Sequence, residues 1–414
     1  MKTHSLTYLL LIIILLGACN QNDHRKANES ASSTSSESIT QVWADPEAPA
    51  YDTTAITPEV ETQPQEPEVR ETETIEVISL RDTIRGIAVR WPGPITLPEE
   101  YPRLEPKESE SEAFYAISYI STNSYFGVNF DNDIFSNTDY YYTNGIRFEL
   151  VTPVFASSPF AWPMLPYNKY SMNYHGMIAV QNMYTPTNPD TVHVMDGDRP
   201  FAAYLYLGHT KNTLSAERHY RQYSELILGL MGPGSLGGYV QGQIHNIEPV
   251  GWENQIQNDL VLNYNALVEM GVFNLPHFDL NVFAEAQLGT LYDNMGAGMR
   301  LRTGHLNPYF SMPGLAMPGS AEGKDALNLQ FGFLAGTKVR FVGYDATLQG
   351  GLFNPNNKYT IPASDVERIV LQANAGVYFA FRQLSLTYEH FYITPEFRKG
   401  RHHQWGHINI MYCF

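Results

Sequence analysis

Short alternating segments separated by turn residues dominate the chain from Ala113 to Phe414. Runs such as FAAYLYLGHT, LNVFAEAQLG and LNLQFGFLAG place apolar residues at about every second position and end near Gly, Pro, Asn or Asp. A period of two is typical of strands, and closely spaced turn residues are typical of antiparallel hairpins. No segment offers the ~18 apolar residues of a membrane-spanning helix. The pattern therefore predicts an all-β fold with many short antiparallel strands.

The composition of these strands favours a barrel whose outside faces lipid. Tyr, Phe and Leu occupy one face and small polar residues the other, and charged residues make up only 17% of the chain, against about 25% in an average soluble protein. Ile408, Ile410 and Tyr412 alternate before the final Phe414, which resembles the last strand of bacterial outer-membrane barrels. At ~9–11 residues per strand, we expect an antiparallel transmembrane β-barrel of about 12 strands in the outer membrane of a Gram-negative-type envelope. A soluble β-sandwich that ends on Phe is the alternative.

The N-terminus has the features of an export signal. Residues 1–18 contain Lys2 and the apolar run Tyr8–Leu16, which is too short to span a bilayer as a helix. The run ends in Gly17-Ala18-Cys19, which resembles the lipobox of bacterial lipoproteins. We therefore expect lipidation at Cys19, and an ordinary signal peptide cleaved near Ala18 is the alternative. Lipidation would leave Cys413 without an intramolecular disulfide partner, because the chain has two cysteines.

Residues 20–112 form an acidic segment rich in Ser, Pro and Glu. They carry 20 Asp and Glu against 8 Lys and Arg, which accounts for −12 of the net charge of −17. Such a composition buries too little apolar surface to offset its ordering entropy, so we expect a disordered tether, which could contact another envelope component. The negative charge argues against nucleic acid as a partner.

Polar motifs recur between the predicted strands, and together they resemble the outer-membrane lipid A 3′-O-deacylase family. The resemblance covers about Tyr115 to Phe414. In chain order, the motifs are Phe130-Asp131-Asn132-Asp133, Thr138-Asp139-Tyr140-Tyr141-Tyr142-Thr143-Asn144-Gly145, Tyr184-Thr185-Pro186, Asp198-Arg199-Pro200-Phe201-Ala202, Gly232-Pro233, His245, Gly251-Trp252-Glu253-Asn254-Gln255 and Glu396-Phe397-Arg398.

The resemblance implies a 12-stranded barrel that hydrolyses the ester of the acyl or acyloxyacyl chain at the 3′ position of lipid A. It also implies dependence on Ca²⁺ and an active site on the barrel wall near the outer leaflet. Asn132 and Asp133 match the family's Asn-Asp pair, Thr143 the Thr before Asn-Gly, and His245 the catalytic His. The family's Glu follows its His, and the shortened loop here makes Glu248 the match, with Glu253 as the alternative.

The chemistry of these side chains suits ester hydrolysis. His245 could activate water, because a neutral imidazole is available near pH 7, and Glu248 could orient its ring. The nucleophile would be water, with no acyl-enzyme. A hard cation takes oxygen ligands and would polarise the ester carbonyl. The candidate Ca²⁺ ligands are Asn132, Asp133, Thr143 and Glu248.

Two local patterns near these residues predict backbone structure. The stretch SLGGYVQGQIH predicts a short helix that starts at the N-cap candidate Ser235 and ends at His245, beside the site. Thr143-Asn144-Gly145 is a type I′ hairpin signal, so we expect Asn144 and Gly145 to have structural roles.

Two further charged groups have structural interpretations. Asp198 and Arg199 are expected to form an interior salt pair that fixes strand register, in preference to a substrate contact. His402 and His403 with Glu396 could suggest a metal site, but exposed loop histidines are common and we favour that interpretation.

The sequence therefore predicts a Ca²⁺-dependent outer-membrane esterase that acts on lipid A within lipopolysaccharide. An outer-membrane phospholipase acting on glycerophospholipids would use the same catalytic groups. A non-catalytic lipoprotein barrel, serving as a pore or an envelope tether, is the alternative from a different class. The chain contains no G-x-S-x-G or H-E-x-x-H motif.

Overall fold

A computed structural model of the protein describes residues 119–136, 138, 140–166, 171–245, 250–311 and 327–414. The signal peptide at 1–18, Cys19 and the tether at 20–112 lie outside these residues and stay predictions. None of the helices in the described ranges is long and apolar enough to cross a bilayer.

Strands account for most of the described residues. They are β1 (Tyr119–Ile120), β2 (Tyr125–Asn132), β3 (Tyr141–Val151), β4 (Met172–Thr185), β5 (Ala202–Ser215), β6 (Tyr220–Met231), β7 (Asp259–Leu275), β8 (Phe278–Gly289), β9 (Tyr292–His305), β10 (Leu329–Asp345), β11 (Ile369–Phe381), β12 (Leu384–Ile393) and β13 (His403–Cys413). The helices are α1 (Gly237–His245) and α2 (Ala346–Gln349). Short 3-10 turns cover Asp133–Ser136, Pro153–Ser157, Pro159–Ala161, Pro233–Ser235, Trp252–Asn254 and Tyr309–Ser311.

Strands β2–β13 close into an antiparallel barrel. Each pairs with its neighbours in the chain, except that β4 also carries β1 and that β13 pairs with β2 to complete the circle. This confirms the predicted 12-stranded barrel. The two-residue strand β1 pairs in parallel with β4 opposite Met172 and Asn173. Strand β3 ends at Val151, opposite Gly176, so the first residues of β4 have no partner on β3. Strand β1 pairs with β4 there.

The barrel has two distinct ends. The end where β2 begins at Tyr125 and β13 finishes at Cys413 is called the terminal end. The opposite end, called the loop end, carries the connections 133–140, 186–201, 232–258, 346–368 and 394–402. Three terminal-end connections are short turns, at 216–219, 276–277 and 382–383. The candidate residues Asn132, Asp133 and Thr143 and the end of α1 at His245 fall at the loop end.

Side chains alternate between the lumen and an apolar outer surface. On β11, five large apolar residues that point outward are 48–58% exposed, whereas Val370, Tyr378 and Ala380, which point inward, are buried. Comparable exposed Leu, Val and Phe side chains follow β5–β12 around the barrel. A continuous apolar band of this kind is what a bilayer requires of a barrel wall. The five large exposed residues of β11 are Ile369, Leu371, Val377, Phe379 and Phe381.

The lumen differs between its two halves. A cluster containing Tyr184, Tyr204 and Ile227 fills the loop-end half, with Tyr142 and Tyr292 packed against it. The terminal-end half holds a polar cavity of about 580 Å³. Ion pairs line this cavity, at 2.7 Å for Arg147–Glu225, 2.6 Å for Arg302–Asp279 and 2.8 Å for Lys338–Glu285.

Candidate active site on the outer wall

The Asn-Asp pair forms the turn that follows β2. Asn132 Oδ1 accepts a hydrogen bond from the Ile134 N–H at 2.8 Å, and Asp133 Oδ2 accepts one from the Tyr140 N–H at 3.0 Å. The Asp133 side chain is buried, at 3% exposure. These short-range bonds are the ones that place Asn and Asp in turns. The loop-end hairpin turn between β2 and β3 therefore lies at 133–140.

Thr143 occupies a β-bulge inside β3. The register between β3 and β4 shifts between Tyr142 and Asn144, so Thr143 is an extra residue with no paired position. Its Oγ1 lies 2.7 Å from the Oγ1 of Thr185, and both side chains are buried. The type I′ hairpin prediction is wrong, because Asn144 pairs with Met183 as a strand residue. The bulge instead turns the Thr143 side chain towards Thr185.

Gly145 is required by the same local packing. A Cβ at this position would lie 1.9 Å from the Tyr142 hydroxyl oxygen and 2.8 Å from Asn182 Oδ1. The Tyr142 hydroxyl donates to Asp131 Oδ2 at 3.0 Å across the lumen side of the wall. The glycine of the Asn-Gly pair therefore makes room for a tyrosine, and it is not a turn residue.

Asn132 and Asn144 lie on the outer face of the barrel. They pair with each other, Asn144 pairs with Met183, and Met183 pairs with Ala203, so the four residues form one row across β2–β5. The neighbouring Tyr184 belongs to the lumen cluster, which places Met183 and its row on the opposite face. Polar side chains therefore cluster on the outer wall at the loop end.

Helix α1 follows a 3-10 turn that is bonded to this wall. The Ser235 hydroxyl donates to the Gly232 carbonyl at 2.6 Å, and Gln181 Nε2 donates to the Ser235 carbonyl at 2.6 Å. Leu236 then adopts a left-handed conformation with φ of 64°. The prediction that Ser235 caps the helix is wrong, because its hydroxyl is used within the turn and the helix begins at Gly237.

The helix packs against the outer row. Val240 contacts a buried cluster that includes Met183, Ala203 and Trp252. A Cβ on Gly237 would lie 2.3 Å from Ala203 Cβ, so the first helical turn touches the wall without a side chain in between. The helix therefore covers the outer wall beside the row that carries Asn132 and Asn144.

The structure brings three of the five predicted site residues to one region. Asn132, Asp133 and Thr143 lie together where β2 ends and β3 begins, and α1, which packs on the adjoining strands, ends at His245. Glu248 lies outside the described residues. Glu253 is exposed in the turn Trp252–Asn254, where it accepts a 3.5 Å bond from the Asn254 amide.

A buried ionic cluster lies behind the wall, in the lumen at the loop end. Arg199 Nη1 and Arg340 Nη2 bind the two carboxylate oxygens of Glu396, at 2.6 and 2.8 Å. The predicted Asp198–Arg199 pair is wrong. Asp198 Oδ2 instead accepts from the N–H and the hydroxyl of Thr187, at 2.8 and 2.6 Å. The sequence motifs Asp-Arg-Pro-Phe-Ala and Glu-Phe-Arg contain Arg199 and Glu396, but the sequence did not show that these two residues pair with each other.

The two arginines keep Glu396 ionised. Burial acts to raise the pKa of Glu396, but the attraction of Arg199 and Arg340 outweighs it, and the pKa of the carboxyl is lowered below its usual value. Arg199 also lies over the Tyr184 ring, at 4.3 Å from the centroid. The cluster thereby ties the loops that precede β5 and β13 to the lumen tyrosines.

The interpretation of His403 as an exposed loop histidine is wrong. His403 is the first residue of β13, is 3% exposed, and its Nε2 lies 3.1 Å from the Tyr142 carbonyl oxygen. This contact holds the residue that precedes the Thr143 bulge. His402 is exposed, as expected. Within the described ranges, no group of three or more His, Cys, Asp or Glu side chains could hold a metal ion.

Comparisons with known proteins agree with this architecture. The family described as outer membrane protein LpxR matches residues 109–414. No curated protein matches the sequence. The solved structure of LpxR from Salmonella typhimurium superposes with a TM-score of 0.56 at 20% identity, covering 70% of this chain and 100% of that one.

Two other solved structures are less similar. The β domain of the Bordetella autotransporter Brka has a TM-score of 0.35 at 13% identity and covers 71% of this chain and 100% of its own. A bacterial polysaccharide outer membrane secretin has a TM-score of 0.30 at 9% identity and covers 71% of this chain and 99% of its own. The family match extends over most of the chain and over every described strand. The chain therefore belongs to the LpxR family of outer-membrane proteins, as an outer-membrane β-barrel of the lipid A deacylase type.

Proposed function

We propose that the protein hydrolyses the ester that links the 3′ acyl or acyloxyacyl chain to lipid A. One observation carries the proposal: buried polar side chains of β2 and β3 lie on the lipid-facing side of the wall, beside strands β4 and β5, on which a helix that ends at His245 is packed. Polar groups on the outside of a barrel are costly in lipid unless they are covered or used. In this proposal an ester of a membrane lipid would meet Asn132, which is partly buried, with the buried Thr143 and Asn144 beside it.

The site lies at the loop end of the barrel, which we assign to the extracellular side of the outer membrane. Outer-membrane barrels carry short turns at the periplasm and longer loops outside the cell, and here three turns of four residues or fewer lie at the terminal end against one, at 290–291, at the loop end. The site would therefore lie at the level of the outer leaflet, which fits the lipid A moiety of lipopolysaccharide as substrate.

We assign the general base to His245. A neutral imidazole can take a proton from water, and a carboxylate on its second ring nitrogen would fix the ring and stabilise the imidazolium. Glu248 is our candidate for that carboxylate, with Glu253 as the alternative. The attacking group would be water, because none of the matched motifs places a serine or cysteine nucleophile beside His245.

We further propose that Ca²⁺ binds beside the bulge. The side chains of Asn132, Asp133 and Thr143 present amide, carboxylate and hydroxyl oxygens, which are the ligand types Ca²⁺ prefers. Asn132 and Asp133 accept backbone hydrogen bonds, and Thr143 Oγ1 lies within bonding distance of Thr185 Oγ1 and of the Tyr141 carbonyl oxygen; an oxygen acceptor can take further partners through its lone pairs. With Glu248, these residues would hold the ion, which when bound supplies a Lewis acid for the ester carbonyl.

Mass spectrometry of lipid A tests this assignment. Outer membranes would be prepared from cells that express the wild type, His245→Ala or a matched control, His277→Ala, which removes an exposed histidine from a terminal-end turn. We expect the wild type and His277→Ala to remove one acyl or acyloxyacyl mass, and His245→Ala to remove none. Chelation of Ca²⁺ should abolish the loss in the active variants.

Other outcomes would point to a different function. Unchanged lipid A together with new lysophospholipids would assign the site to glycerophospholipids. No acyl loss from either lipid, from barrels whose migration on gels shows that they are folded, would favour a non-catalytic envelope barrel. Acyl loss that persists in His245→Ala would contradict the assigned base.

A further inference from the structure

A polar strip interrupts the apolar outer wall of β4–β6 towards the terminal end. His175, Lys211 and Ser224 pair in one row across the three strands. Lys211 lies on the same face of β5 as Leu207, which is 60% exposed, yet Lys211 itself is 2% exposed. Such a strip would be costly against lipid, so something must cover it.

The cover is residues 153–166, which we call the strap. The Lys211 ammonium donates to the Leu165 carbonyl at 2.7 Å, and the Leu165 N–H donates to the Ser224 hydroxyl at 3.2 Å. Gln222, on the same face of β6, donates from its amide to the Pro166 carbonyl. Lys211, Ser224 and Gln222 therefore bond to the strap backbone, whereas His175 faces His209 within the strip, at 3.5 Å between ring nitrogens.

The remaining strap backbone is largely satisfied within the strap. It contains two 3-10 turns, Pro153–Ser157 and Pro159–Ala161. Between Phe155 and Met164, five backbone N–H groups donate to the carbonyl oxygen three residues earlier in the chain. Four of the fourteen positions are Pro, which has no N–H to satisfy. Irregular backbone exposed to lipid is not found within the hydrocarbon core, so the strap, with its backbone groups largely paired, belongs at the level of the boundary between acyl chains and headgroups.

The outer surface of the strap is apolar and aromatic. Trp162 is 83% exposed, and Val154 and Phe160 are each 54% exposed. The strap borders the lipid-facing band directly, because Gln222 beneath it pairs with Val268 of β7, which is 40% exposed. The strap thus continues the apolar wall over a place where the strands themselves are polar.

We propose that the strap is a lipid-binding element that seats Phe160 and Trp162 among glycerophospholipids of the leaflet at the terminal end. Trp favours the boundary between acyl chains and headgroups, because its ring is apolar and its N–H is polar. The polar strip beneath would act as the dock that holds the strap flat against the wall. This surface is separate from the proposed hydrolase site, which lies at the loop end.

Fluorescence quenching by lipid tests the position of Trp162. The full chain, Trp162→Phe and the control Trp405→Phe would be reconstituted in phosphatidylcholine vesicles with or without bromine on the acyl chains. We expect the emission lost in Trp162→Phe to be blue-shifted and quenched at least twofold by brominated lipid. Trp405 packs in the barrel interior, so its replacement should leave the lipid-quenched emission unchanged.

The opposite pattern would overturn the proposal. Emission from Trp162 that is quenched by aqueous iodide, and not by brominated lipid, would show that the strap faces water. Because neither readout involves hydrolysis, failure of the proposed esterase activity would leave this test intact.

The dock has its own test. Lys211→Met combined with Gln222→Leu replaces the dock with apolar side chains that lipid tolerates, so the barrel should still fold and show heat-dependent gel migration. We expect amide hydrogen exchange in residues 154–165 to become at least tenfold faster, with exchange in β7–β12 unchanged. Unchanged exchange in the strap of the folded variant would contradict the docking role.

Discussion

The contact between α1 and the barrel wall gives a sharp test of the site. A methyl group added by Gly237→Ala would lie 2.3 Å from Ala203 Cβ, whereas two carbons in contact are optimally ~3.5–4.0 Å apart. The first turn of the helix must therefore move outward by about 1 Å or more. Overpacking of this kind costs about 1–3 kcal/mol, which the strand pairing of the barrel should withstand.

The displaced helix should reduce catalysis far more than it reduces stability. A misplacement of about 1 Å can cost about 100-fold in rate, and α1 carries His245 at its end. We expect Gly237→Ala to deacylate lipid A about 100-fold more slowly, measured as the initial rate by mass spectrometry on purified protein in lipid vesicles. Gel migration with and without heating would show that the barrel is folded.

A second substitution separates the clash from other effects. Ala203→Gly removes the methyl group that Gly237→Ala would meet, and the next atom, in the Trp252 ring, lies 3.0 Å from the added Cβ. The double variant should therefore recover activity to within about tenfold of the wild type. Full activity in Gly237→Ala alone, or no recovery in the double variant, would refute the reasoning.

Three further predictions concern the ionic cluster and the bulge. Arg199→Met should lower the free energy of unfolding by about 3 kcal/mol in urea titrations, because it removes one of the two arginines on Glu396; unchanged stability would contradict this. Since the pKa of Glu396 is lowered, its ionised form stabilises the fold above the unfolded pKa. That contribution should fade as pH falls below about 4.3, the ordinary pKa of Glu, and Glu396→Gln should flatten this pH dependence of stability. Thr143→Val should raise the Ca²⁺ concentration for half-maximal activity about 10- to 100-fold, whereas Thr143→Ser should stay within a few-fold.

The barrel was predictable because lipid imposes a simple rule on sequence. In each strand every second residue faces lipid and must be apolar, so the strands β11 and its neighbours can be recognised in the sequence by this alternation. The ordered motifs likewise placed Asn132, Asp133 and Thr143 in one region before any geometry was known. These are properties that short stretches of chain carry by themselves.

The wrong predictions concern contacts between residues that are distant in the sequence, or packing that a short stretch of sequence does not reveal. Asn144-Gly145 has a turn signal, but Tyr142 needs the space that Gly145 leaves, and the turn forms earlier in the chain. Arg199 finds its carboxylate at Glu396, far along the sequence, and not in the adjacent Asp198. The strap shows the same limit, because Lys211 and Gln222 are unremarkable in sequence until the fold lays Leu165 and Pro166 over them.

The tyrosine-filled half of the lumen has a consequence for the permeability of the cell envelope. A barrel of this strand number with an open lumen would admit small solutes, whereas here the loop-end half is packed with Tyr184, Tyr204 and their neighbours. A site on the outer wall needs no passage through the barrel, so the interior can be closed without loss of access to lipid. Cells that carry many copies of this protein should therefore remain as resistant to hydrophilic antibiotics as cells that carry none.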